Sequence, residues 1–491
     1  MSAHIGREVQ LTCEPLNHVL SNDGVWDLTS SYVVFDERSD PVGAVFDGRR
    51  IRAVAVKKQI NGTSKYKTIY EAKQDEGNVG VALHAPCTNK VAFIQGPANT
   101  DEYAAHNRFG KIVDTENVLG NARRAPQAAP PPQVLDARDV VAPYTPGALR
   151  GGTHVHQFHP TNPSLVSSTY EDHVLTLNAN SGVQPTERNA RGVAVTDLRR
   201  KVQVITDHPL NHDGAGYTVL ATRLDDDISS DGITHAVEEA WIGKNGYRRL
   251  DGSWQRHALA FLGEVASSKT MDVYVLDVDS VLPEDDKVDV PGTPTTRPRP
   301  PSGISRQRRI TNMSAFGGVV TTPRHWPRSR PQGDMIAFLA KDESGTVQLY
   351  GIAPTATPND PPAQLTREAA GVASAFSWSP SGDEIAFVRG DGCICVLDIR
   401  SRGVRVLTLP RRLVKEAPRP ESCVFSPNGR YIAYVRRLDY DGKAYNQVFV
   451  VTVPPRRSSR GSAHLGVLSK VLVGLGGLFI TAIRFNSSRR R

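Results

Sequence analysis

Residues 373–388 read ASAFSWSPSGDEIAFV, and residues 422–435 read SCVFSPNGRYIAYV. Each stretch is a short apolar run, a Ser-Pro-Ser/Asn-Gly turn and a second run with apolar residues in alternation. A period of two predicts strands with one buried face. The Ser/Asn-Gly pair supplies the positive φ that a tight hairpin turn requires. A third run follows in each unit, CICVLDI at 393–399 and QVFVVTV at 447–453, and a fourth, VRVLT at 404–408, in the first. Four short antiparallel strands in succession make one blade of a β-propeller.

Weaker copies of this unit recur at 25–37, 79–96, 154–170 and 335–352, and an irregular one pairs 258–265 with 272–278. The expected fold is therefore all-β, a propeller of seven four-stranded antiparallel blades, with six as the alternative because the fourth unit, at about 213–279, is the least regular. A short element punctuates the units: VQLT (9–12), VQVIT (202–206), RRIT (308–311), AQLT (363–366) and RVLT (405–408). Each reads as the outermost strand of a blade. The copy at 9–12 has no blade before it and is the candidate to complete the last one, joining the chain ends and removing open sheet edges. The expected organisation is one propeller over 8–455, with long loops at about 115–150 and 283–310, and a basic, apolar tail over 456–491.

At the Ser-Pro-Asn/Ser-Gly turns and the QLT elements the chain resembles the TolB-like propellers. Four further blocks narrow the likeness: NHVLSN (17–22) with Trp26 and VVFDER (33–38), FIQGP (93–97), APYTPGALRGGTHVH (142–156) and EEAWIG (238–243). Together they resemble an uncharacterised family of TolB-like proteins that also occurs in bacteria. A shorter likeness, HQFHPTNPSL at 156–165 with Glu171 after it, is similar to the oligogalacturonate lyases. Those are propellers that cleave pectin fragments by β-elimination, with a metal held by histidines and a glutamine.

His154 and His156 stand two apart in a predicted innermost strand, which places both imidazoles on one face of an ideal strand. That spacing suits two ligands of one divalent metal, manganese or zinc. His18, at the corresponding point of the first blade, and His173 complete the candidate metal set. Gln157 falls on the other face, and Gly151 and Gly152 allow a close backbone approach near the channel mouth. Under the lyase resemblance, the metal neutralises a substrate carboxylate, and Arg150, Gln157 and Lys111 are the candidate ligand-binding residues. The competing reading is that these histidines pack and hydrogen-bond between blades.

Three function classes follow: a binding or scaffold propeller for a protein or glycan ligand, which we favour, a metal-dependent carbohydrate lyase or hydrolase, and a membrane-tethered propeller using the C-terminal tail. The chain has no phosphate-binding GxxxxGK[ST], no GxSxG elbow and no HExxH,. The net charge of +8 suggests an anionic partner. Its excess, however, lies in a Pro-rich stretch (Arg297, Arg299, Arg306, Arg308, Arg309) and in the tail (Arg456, Arg457, Arg460, Arg489, Arg490, Arg491). Basic patches interleaved with aromatic residues are lacking, so no nucleic-acid partner is expected. Five scattered cysteines do not form a disulfide framework, and MSAHIGREVQLT carries no apolar signal core, which together point to the cytoplasm,. The run VLVGLGGLFITAI at 471–483 is short for a membrane span,. Membrane contact through 465–485, as a tail anchor, is the alternative location.

Overall fold

Alternation along each strand divides its side chains between two seams. In the strand Tyr32–Arg38, Val33 and Phe35 pack in one apolar cluster and Val34 in the next. In Ile336–Lys341, Ile336, Phe338 and Ala340 face one neighbour while Ala337 and Leu339 face the other. Glu384–Val388 divides the same way, with Ile385 and Phe387 against Ala386 and Val388. The sequence pattern implied one buried face. Both are buried, because every blade is stacked between two others.

The structure, a computed structural model, describes residues 5–455 apart from 42–44, 58–65, 97–103, 121–129, 181, 183, 226, 228–231, 280–281, 283–291, 302–305 and 411–416. The tail 456–491, with its apolar run, lies outside the described residues. The fold is all-β, a seven-bladed propeller of four-stranded antiparallel sheets. The innermost strands are Asn17–Val19, Val79–His84, Gly151–Phe158, Ile233–Trp241, Arg328–Ser329, Ser377–Trp378 and Pro418–Phe425. The outermost are Tyr66–Glu71, Gln133–Val134, Tyr217–Leu220, Arg306–Arg309, Ala363–Gln364, Val404–Val406 and, for blade 7, Glu8–Gln10.

The N-terminal strand closes the ring, with Glu8, Val9 and Gln10 opposite Val451, Val450 and Phe449. Gly382 and Gly429 take φ of 76° and 69° in the two Ser-Pro turns, as those turns demand,. Two details depart from the sequence reading. The outer strand of blade 3 is Tyr217–Leu220, whereas of VQVIT only Val202 forms a bridge, to Gly214. Blade 4 spans Ile233–Arg309, and its irregularity comes from a small extra hairpin (Tyr247–Arg248 with Trp254–Gln255) inserted after its first strand. No helix among the described residues is long and apolar enough to cross a membrane.

Candidate functional site

The ladder of the innermost strand slips in blade 7 between Pro418 and Cys423, and in blades 2, 3 and 4 at one shared kind of site. In these last three the shifts fall between Gly80 and Leu83, His154 and Gln157, and Val237 and Ala240. At the centre of each of these three a residue turns left-handed: Val81 (φ 56°), Val155 (φ 57°) and Glu238 (φ 58°). Two are β-branched, and each such residue costs about 1–2 kcal/mol relative to glycine-like freedom. Three bulges in register around an axis re-aim the side chains beside them.

The first two, at Val81 and Val155, border a cavity of about 320 Å³ on the side where the inner strands begin. Arg38, Arg108, His154, Arg324, Trp326 and Glu421 are its polar and aromatic wall, with Val81 and Val155 among its apolar members. Arg38 pairs with Asp36 at 3.0 Å. Arg324 donates to Glu238 Oε1 at 2.7 Å and lies 4.9 Å over the Trp326 ring. Trp326 is 3% exposed, and its indole N–H has no hydrogen-bond partner among the described residues. Burial and the charges of Arg108, Arg324 and Arg191 hold the His154 imidazole well below its ordinary pKa, so it is neutral,.

Arg108 is positioned from behind. The buried Arg138 donates to the main-chain oxygens of Arg108 (3.0 Å), His106 (3.1 Å) and Gly151 (3.3 Å). A Cβ on Gly152 would meet the Ala105 oxygen at 2.2 Å, so this glycine lets the 104–108 segment lie against the inner strand of blade 3,. A second cavity of about 260 Å³ lies where the inner strands end, with Leu83, Phe158, Trp241, Trp378 and Phe425 in its wall. The apolar cluster of Phe46, Val81, Leu83, Ile94, Val155, Ala240 and Trp326 contributes to both walls and so lies between them.

The predicted metal ligands do not converge. The bulge at Val155 breaks the period of two. His154 faces the cavity, whereas His156 is buried with Nε2 2.9 Å from Thr153 Oγ1 and 3.4 Å from Asp136 Oδ1. The His173 ring lies 4.7 Å from that of His106, tilted by 58°, and burial lowers its pKa to about 3. His18 sits at the ring closure, its Nδ1 3.1 Å from the Asn446 oxygen. There His18, Glu14 and Glu37 bring ligand atoms within 4.8 Å of one another. Arg52 already donates to both carboxylates of that group, at 2.6 Å and 2.7 Å, so a cation would have to displace it,.

The predicted ligand-binding residues are also engaged. Arg150 is 2% exposed, forks onto Asp172 Oδ2 (2.6 and 3.0 Å) and donates to the oxygens of Thr293 and Thr296. The Gln157 amide donates to the Glu239 main-chain oxygen across the seam to blade 4. Lys111 lies on the third strand of blade 2, within 5.5 Å of the Tyr70 ring and 5.9 Å of the Phe109 ring, and burial lowers its pKa. The sequence reading missed Arg38, Arg108, Arg324, Trp326 and Glu238. Arg38 and Glu238 end and begin two of the quoted blocks, VVFDER and EEAWIG, which was the one available signal.

The chain is 37% identical over 439 residues to the uncharacterized protein YidR of Escherichia coli (strain K12), across 87% of this chain and 94% of that one. It belongs to the YidR family. Residues 78–212 also match the family described as "Protein of unknown function (DUF3748)", a span that contains Arg108, Arg138, Gly152 and His154. Among solved structures, this YidR-family propeller is similar to an oligogalacturonate lyase from Vibrio parahaemolyticus, with 10% identity, TM-score 0.50 and 91% and 94% of the two chains covered. It is also similar to TolB from Acinetobacter baumannii, with 16% identity, TM-score 0.34 and 86% and 80% covered. These likenesses concern the fold.

Proposed function

We propose that the protein is a binding propeller whose ligand is anionic, an acidic glycan in the first instance, and that it is taken up in the cavity where the inner strands begin. One observation carries this reading. Arg38, Arg108 and Arg324 reach a single cavity from blades 1, 2 and 5, beside the neutral His154 of blade 3; Glu421 is the carboxylate in its wall, while Asp36 and Glu238 pair with Arg38 and Arg324 from outside the lining. Cationic walls of low polarisability focus potential and concentrate anions. The Trp326 ring adds a flat apolar surface with an unused N–H, a combination that suits an amphipathic ring.

Calorimetric titration with trigalacturonate tests it. Binding is expected, weakening as salt rises and falling about tenfold or more in Arg324→Ala, the scale of one charge-assisted hydrogen bond. Absence of binding, or binding that Arg324→Ala leaves unchanged, overturns the reading.

A second reading, β-elimination of an acidic oligosaccharide, is supported by the neutral His154 at the same cavity, which has the protonation state of a general base,. The Vibrio parahaemolyticus protein of similar fold is named an oligogalacturonate lyase. No cluster of metal-ligating side chains among the described residues includes His154, so no step is assigned to a metal. An ultraviolet absorbance rise from an unsaturated uronate, with oligogalacturonate and with or without manganese or zinc, supports this reading; a flat trace removes it.

A further inference from the structure

We propose that the small hairpin inserted in blade 4 docks the propeller on an anionic membrane surface. The hairpin pairs Tyr247–Arg248 with Trp254–Gln255 and follows the inner strand of blade 4, so it stands on the face where the inner strands end. Alternation divides its side chains. Tyr247 and Gln255 lie opposite each other and are buried. The Tyr247 hydroxyl donates to Asp277 Oδ1 at 2.7 Å, and the Gln255 amide donates to the oxygens of His257 (2.7 Å) and Val278 (3.0 Å), the last residue of the third strand. Arg248 and Trp254, the other pair, are exposed. The tip is ordered by its own bonds, with the Asp251 carboxylate accepting from the Ser253 N–H (2.8 Å) and hydroxyl (2.6 Å). An element held in this way presents its outer side chains with little ordering cost.

Its outer side is apolar and cationic together. Leu250 is 88% exposed and Trp254 54%. Lys244, Arg248 and Arg256 are exposed as well, and none of the three forms an ion pair among the described residues. Over residues 244–256 the single acid is Asp251, and the fourth cation, Arg249, reaches Asp277 Oδ2 at 3.3 Å. A bilayer interface suits this combination: the indole and the leucine enter the headgroup boundary while the cations meet anionic lipids. The chain also passes into its tail at this face. The strand Lys443–Thr452 is the third of blade 7, so it runs parallel to the inner strand of that blade and finishes where the inner strands end. Beyond it the sequence carries Arg456, Arg457 and Arg460, the charge-free run 471–483 and no acid. Segments of like charge repel each other, and both are drawn to a negatively charged sheet of lipid. That favours a membrane over the tail itself as the occupant of the hairpin.

The test mixes the full-length protein with vesicles of phosphatidylcholine, with or without phosphatidylglycerol. Sedimentation is expected to show binding to the anionic vesicles at least about tenfold tighter than to the neutral ones, weakening as salt rises. Trp26, Trp241 and Trp326 are buried and Trp378 is half-buried, so Trp254 is the tryptophan that lipid can reach. Brominated lipid should therefore quench the emission of the wild-type protein and not that of Trp254→Phe. Leu250→Ser combined with Trp254→Ser removes the apolar tip at two exposed positions and is expected to weaken binding about tenfold or more. Binding without quenching, or binding that the double variant leaves unchanged, assigns the membrane contact to the tail and overturns the role of the hairpin. Absence of vesicle binding overturns it too, and polyglutamate binding that Arg248→Ala and Arg256→Ala weaken then assigns the hairpin to an acidic protein.

Discussion

The indole Nε1 of Trp241 donates to the main-chain oxygen of Gln157 at 3.0 Å, across the seam between blades 4 and 3. The same tie recurs twice. Trp26 reaches the Val424 oxygen from blade 1 to blade 7 at 3.1 Å, and Trp378 reaches the Arg328 oxygen from blade 6 to blade 5 at 2.9 Å. In each case an aromatic body fills the seam while its polar edge satisfies an inner-strand carbonyl. Trp241→Phe removes this cross-seam hydrogen bond and is expected to cost about 0.5–1.5 kcal/mol, read as a lower urea midpoint at unchanged slope. Trp254→Phe, at a ring that is 54% exposed, is the control and should shift stability by no more than about 0.5 kcal/mol,.

Ring closure makes residues 8–12 structural. Leu11 is fully buried in the seam between blades 7 and 1, and its N–H donates to the Val448 oxygen at 2.8 Å. Leu11→Ala is expected to cost about 2–5 kcal/mol. Deleting residues 1–12 exposes the edge of Lys443–Thr452, the strand that Glu8–Gln10 covers. An open edge of that length pairs with other chains, so size-exclusion chromatography should show oligomers. A monomeric, equally stable deletion variant would contradict the closure.

The fold was legible because a propeller repeats its signal. The turns at 379–382 and 426–429, and the outer strands at Ala363–Gln364 and Val404–Val406, announced themselves by pattern. The strand Glu8–Gln10 could be placed because it had no blade of its own. Site geometry was legible only in part, because it depends on irregularity. His154 and His156 share a face in an ideal strand, and a single left-handed residue, Val155, parts them. Nothing in the letters HVHQ marks that bulge, since valine disfavours the conformation it adopts. The arginines of the cavity come from separate blades, so no local spacing joins them. Arg150 looked like a ligand group through charge alone, and its partner Asp172 is a pairing that only the antiparallel register reveals.

Acid should loosen the ring closure. His18 and Arg52 beside Glu14 hold its carboxyl down to about 2 from an ordinary 4.5. A depressed acid contributes stability that is complete above the unfolded value and is lost as pH falls towards the folded one. This contribution should therefore disappear between about pH 4.5 and about pH 2. The Glu14 side chain is 32% exposed, so solvent partly screens the effect and it is modest in size,. Urea unfolding of the wild-type protein and Glu14→Gln across that window measures it: the two curves should converge towards the acid end, and parallel curves would remove Glu14 from the account.

Glu239 acts in the opposite direction and over a different range. It is fully buried, accepts a hydrogen bond from Thr169 Oγ1 at 2.9 Å on one oxygen, and has no partner for the other among the described residues. Burial, with the neighbouring charge of Glu238, pushes its carboxyl up from 4.5 to about 8. The folded chain then keeps a proton that the unfolded chain releases. Stability from this group is undiminished below about pH 4.5, declines as pH rises through the interval to about 8, and is level beyond. Glu239→Gln keeps the shape and removes the proton. Its advantage over the wild-type protein should be near nil at about pH 4.5 and grow to the order of a few kcal/mol by about pH 8. Urea midpoints at three pH values across that interval decide it, since a constant difference would mean that Glu239 is already ionised in the folded protein.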